Sequence, residues 1–63
     1  MKLSSTKIRA YARLVNAGLR TIDEVQESYR IVVYIELIAE YDWTIEQVDE
    51  RYIEQVKSEL GIK

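Results

Sequence analysis

Apolar positions recur along the chain in helical rather than strand register. Ile8, Tyr11, Ala12 and Val15 fall at i, i+3, i+4 and i+7, one face of an α-helix over about residues 5–17. Ile45, Val48, Tyr52, Val56 and Leu60 make a second stripe over about 45–60, against a dense polar face. The stretch between them is less regular, because Ile31-Val32-Val33-Tyr34-Ile35 is β-branched and aromatic and would suit a buried strand. A lone strand would have no partner, so the reading is helix, over about 22–41. The pattern predicts an all-α three-helix bundle.

The ends of these helices are marked. Thr21 with Glu24, and Thr44 with Gln47, have the spacing of capping boxes, and Asp23, Glu24 and Glu46 put negative charge where a helix dipole favours it. Trp43 and Val48 have the spacing of a hydrophobic staple. Gly18 and Gly61 are placed as left-handed C-terminal caps, with Leu19 and Ile62 as the apolar residues that often follow.

The two capped segments resemble each other. Residues 21–33 and 44–56 align without gaps at an offset of 23, with identity at Thr21/Thr44, Ile22/Ile45, Val25/Val48, Glu27/Glu50, Tyr29/Tyr52 and Val33/Val56. Tyr11/Tyr34 and Leu14/Leu37 extend the match upstream. Duplication and convergence on one capped start both account for this, and under either the segments should share a conformation. The expectation is one small domain over residues 1–63, organised by a 23-residue quasi-repeat.

If the middle helix runs over 22–41, it spans roughly 30 Å, against roughly 20 Å and 24 Å for its neighbours. From Ile31 to Tyr41 only Glu36 and Glu40 are charged, and those two share one narrow face. Such a helix offers more apolar circumference than two shorter neighbours cover, which on a water-soluble protein marks an interface. Ile31, Val32, Ile35, Ile38 and Tyr41 are the expected contact residues. A chain of 63 residues also gains core by pairing.

Charge sharpens this picture. Residues 1–20 carry five Lys/Arg and no acid, while residues 21–63 carry all eleven acids. Several i,i+4 pairs are like-charged: Arg9/Arg13, Asp23/Glu27, Glu36/Glu40, Glu46/Glu50 and Glu50/Glu54. Each costs a few tenths of a kcal/mol in an isolated helix. Arg9 and Arg13 are therefore expected to lie along acidic stripes, in the same or a neighbouring chain, as orienting charges.

Composition removes several kinds of chemistry. With no Cys and no His there is no disulfide, and the commonest general base and zinc ligand are missing. Asp42, Glu46 and Asp49 lack calcium-loop spacing. No nucleophile–base pattern is present, and the five tyrosines are expected to bury their rings with the hydroxyl reaching water. The expectation is a chain with no enzyme activity, metal or cofactor. The longest wholly apolar run, Ile31–Ile35, is too short to span a membrane, and Lys7, Arg9 and Arg13 interrupt any leader-like start. A soluble protein with a cytoplasmic location is expected. The rival reading is a small nucleic-acid-associated regulator, since Ala17-Gly18-Leu19-Arg20-Thr21 resembles the turn of a helix-turn-helix beside the basic first helix. A recognition helix beginning Ile22-Asp23-Glu24 would present carboxylates to a polyanion, which argues against it.

Tyr11, Ala17-Gly18, Thr21, Asp23-Glu24 and Val25, with the second segment Thr44-Ile45-Glu46-Gln47, resemble small proteins encoded in phage and prophage tail-module gene clusters. The resemblance covers about half the chain and implies an accessory or structural role, with no catalytic residues to carry over. The resulting expectation is a protein that associates with itself, a dimer first, or with a phage structural protein.

Overall fold

The computed structural model describes residues 3–61. Three α-helices form, α1 (Ser5–Asn16), α2 (Arg30–Glu40) and α3 (Ile53–Leu60), and no strand occurs among the described residues. Helix α2 is central and packs against both α1 and α3. Ile31–Ile35, the stretch that could have been a strand, lies within α2.

The expected starts of the second and third helices, Ile22 and Ile45, are corrected to Arg30 and Ile53. Each capping box forms, but it caps a single 3₁₀ turn, Ile22–Glu24 or Ile45–Gln47. The Glu24 carboxylate accepts from the Thr21 N–H at 2.9 Å, and the Gln47 carbonyl accepts from the Thr44 N–H at 2.8 Å. Each Thr hydroxyl donates to the same side-chain oxygen. The chain then extends for two residues, at Val25-Gln26 and Val48-Asp49, with ψ between 133° and 137°. A second 3₁₀ turn, Glu27–Tyr29 or Glu50–Tyr52, leads into the α-helix.

Two effects favour this break over a continuous helix. It removes the pairs Asp23/Glu27 and Glu46/Glu50 from i,i+4 register, and with it their mutual repulsion. It also leaves backbone groups that side chains satisfy. The Arg30 guanidinium donates to the Val25 carbonyl at 3.0 Å and the Asp23 carbonyl at 3.0 Å, oxygens that a continuous helix would have paired with amides. In the second segment Ile53 stands in place of Arg30, and the solution differs. The Asp49 carboxylate accepts from the Arg51 N–H at 2.9 Å, while the Tyr34 hydroxyl accepts from the Asp49 N–H at 3.1 Å.

The quasi-repeat is therefore structural. Val25 and Val48 are both buried, and Tyr11–Tyr29 and Tyr34–Tyr52 form equivalent ring pairs at 5.6 Å and 6.1 Å. The turns entering the two segments close alike, with Arg20 N–H on the Leu14 carbonyl and Trp43 N–H on that of Leu37. Gly18 takes the left-handed conformation at φ 76° in the first turn, whereas Asp42 takes it at φ 59° in the second, where no glycine is present. A short polar side chain tolerates that region better than most. Gly61 caps α3 at φ 75°. Leu19, the apolar residue after the Gly18 cap, is 71% exposed, and Ile62 lies outside the described residues.

One core joins both segments: Ala12, Val25, Tyr29, Val33, Tyr34, Leu37, Val48 and Val56 are buried. Tyrosine hydroxyls do more than reach water. Tyr29 accepts from the Ser4 N–H and Tyr52 from Arg30, each at 3.0 Å, so both tie segments distant in sequence. Replacing Arg30 by Met keeps the aliphatic stem but leaves three acceptors without it. Arg30→Met should lower the urea unfolding free energy by about 1.5–3 kcal/mol. Breaking the exposed Arg20–Glu24 pair with Arg20→Ala should cost less than about 1 kcal/mol.

Candidate interaction surface

No polar or charged side chain is buried among the described residues, and no three acidic side chains converge as metal ligands would. What the fold does build is a cleft of about 770 Å³ between α1 and α2. Arg9 and Arg13, one turn apart on α1, form one wall, and Glu36 and Glu40, one turn apart on α2, form the other. Tyr41 closes one part of it, and the small side chains of Thr6 and Ala10 also line it.

Among the described residues the ion pairs are Arg20–Glu24, Arg51–Asp23 and Arg51–Asp49. None involves the four charges of the cleft. Arg9 and Arg13, the expected orienting charges, line the same cleft as the acidic row Glu36/Glu40, and among the described residues no salt bridge within 4 Å joins them. Glu36 and Glu40 belong to the site although only the arginines were expected there. Their shared narrow face on the second helix was the available signal; which helix lies beside that face is set by the turn at 17–21.

Of the expected apolar contact residues Tyr41 lines this cleft, whereas Ile31, Val32, Ile35 and Ile38 are not among its lining residues. At about 100° per residue, Val33, Tyr34 and Leu37 face the core, and Ile35, Ala39 and Val32 fall on the opposite side of α2. Ile31, Val32, Ile35, Ile38 and Tyr41 are all half-buried and packed on the core's edge, and Ala39 is exposed. The broad exposed patch expected from a 20-residue middle helix is absent. With 11 residues α2 is no longer than α1, so its neighbours shelter more of it. What remains outward is a narrow apolar strip flanked by the charged cleft.

Arg51 shows by contrast what a satisfied charge looks like here. Its guanidinium lies 2.7 Å from the Asp23 carboxylate and 3.0 Å from that of Asp49, with the Tyr52 ring at 5.1 Å, and so clamps the first segment to the second. The Arg51 side chain and its backbone N–H hold the Asp49 carboxyl below its ordinary value of 3.8, and the two carboxylates raise the guanidinium in turn. Burial pushes the Tyr34 phenol up, against the opposing hydrogen bond from the Asp49 N–H.

The helix-turn-helix reading meets a different obstacle. After the Gly18 turn comes one 3₁₀ turn and then extended chain, so no α-helix begins at Ile22 to enter a groove. No helix among the described residues is long and apolar enough to cross a membrane.

Because the Asp49 carboxyl is held down in the folded chain, its contribution is present above the unfolded value and is lost as pH falls through the folded one. Urea midpoints at pH 6 and pH 3 should show a drop in the native chain that Asp49→Asn reduces. The Tyr34 phenol, raised when folded, contributes stability that is lost as pH rises beyond about 10.

Compared with models of protein families, with curated proteins and with solved structures, the chain matches none, and the surface beside α1 and α2 is what carries a functional reading.

Proposed function

We propose that this chain is a non-enzymatic association protein, an accessory or structural component of the phage or prophage kind that its sequence resembles. It meets a protein partner through the face shared by α1 and α2. The observation that carries the reading is the cleft whose four charges are opposite in sign across it yet in no ion pair among the described residues, beside the apolar strip of Val32, Ile35 and Ala39. Protein interfaces combine an apolar centre with a polar rim in this way.

Mixed charge separates this reading from the nucleic-acid alternative. Lys7, Arg9 and Arg13 are exposed, but Glu36 and Glu40 stand across the cleft and would repel phosphates.

Light scattering after size exclusion should give a mass above 7.4 kDa for the native chain. Ile35→Glu, at a half-buried site outside the core, should lower that mass while leaving the helical circular dichroism signal in place. A native chain that stays at 7.4 kDa at high concentration defeats self-association.

A further inference from the structure

The quasi-repeat is open at its start and closed at its end, and that asymmetry points to the partner. At the entries to α2 and α3 the repeat register places Tyr29 and Val33, then Tyr52 and Val56, in or against the core. The equivalent positions in α1 are Thr6 and Ala10, which are small, exposed and line the cleft. At the other end, the position of Tyr11 and Tyr34 is taken in α3 by Lys57, a cation in place of a ring. The α3 end is thus unsuited to receive another repeat, whereas α1 keeps a shallow surface of small residues. Head-to-tail growth would need both ends, so the geometry favours start-to-start closure.

We propose that a second copy of this chain docks on the cleft about a two-fold axis parallel to α1 and α2. The proposal rests on the reading of the chain as an association protein. Ser4 bonds to Tyr29 and Asn16 to Trp43, so α1 and α2 run in the same direction with their starts and ends paired, and the Arg9/Arg13 row stands level with the Glu36/Glu40 row across the cleft. Rotation about an axis along the helices preserves height and exchanges sides. It sets Arg9 and Arg13 of one copy against Glu36 and Glu40 of the other, and does so twice. The small Thr6 and Ala10 allow close approach, and Val32, Ile35 and Ala39 supply apolar area beside the charged rows. Like-charged i,i+4 pairs that repel within one helix then each gain opposite charges from the partner. Such pairs set register and orientation more than they add affinity, and salt screens them.

Charge reversal tests this arrangement. Arg9→Glu/Arg13→Glu makes the cleft all-acidic, and Glu36→Arg/Glu40→Arg makes it all-basic. The native chain should run at twice 7.4 kDa and shift toward the single-chain mass as sodium chloride rises. Each double variant alone should run as a single chain with its helical signal retained, and an equimolar mixture of the two should regain the doubled mass. If either variant alone keeps the native doubled mass, or the mixture stays at the single-chain mass, the two-fold arrangement is overturned. Should that happen while Ile35→Glu still lowers the native mass, association by the α2 strip stands and only the charge-matched geometry fails. A single-chain mass for the native protein at every concentration sinks both.

Discussion

The extended pair of residues that ends each capped turn is the constraint on which this structure depends. At Val25-Gln26 and again at Val48-Asp49, two residues leave the helical region, and the chain is re-aimed before α2 or α3 begins. Were the helices continuous from Ile22 and Ile45, the carbonyls of Asp23 and Val25 would belong to amides and Arg30 would have no such role. The Asp49–Arg51–Asp23 clamp would likewise not form as it does. The break converts two long helices into short ones and lets buried valines from both segments enter one core.

The same break is held by different chemistry in each segment. Arg30 gathers the Asp23 and Val25 carbonyls and the Tyr52 hydroxyl in the first, while Asp49, Arg51 and the Tyr34 hydroxyl serve in the second. A backbone conformation that recurs under two sets of side-chain bonds follows from what recurs with it. The recurring elements are the Thr-anchored box, the buried valine and the paired tyrosine rings. The part-buried bonds among these, from Arg30 to the Val25 carbonyl and the Tyr52 hydroxyl and from the Asp49 N–H to the Tyr34 hydroxyl, are costly to leave unmade, and two of them tie local conformation to the other segment.

Shortening α2 also decides the character of the surface. A 20-residue apolar helix would have needed cover along its whole length. An 11-residue one is largely sheltered, and its outer strip is narrow. The outward face beside α1 and α2 is therefore defined by charge as much as by apolar area.

Much of the fold was legible in residue patterns. The helical register of Ile8, Tyr11, Ala12 and Val15, the boxes at Thr21 and Thr44, the left-handed Gly18 and Gly61, and the 23-residue repeat all report local preferences, which neighbouring residues settle. The break after Glu24 and Gln47 was not legible, because Ile22, Val25, Tyr29 and Val33 also suit one face of a continuous helix. Its outcome depends on Arg30 reaching back to carbonyls and on Tyr34 reaching Asp49, contacts made only once the segments pack. The charged cleft stands likewise: residue spacing alone puts Arg9/Arg13 and Glu36/Glu40 in rows on helices. That the rows face each other across one opening comes from packing, since the direction in which a turn returns the chain is a property of the packed whole.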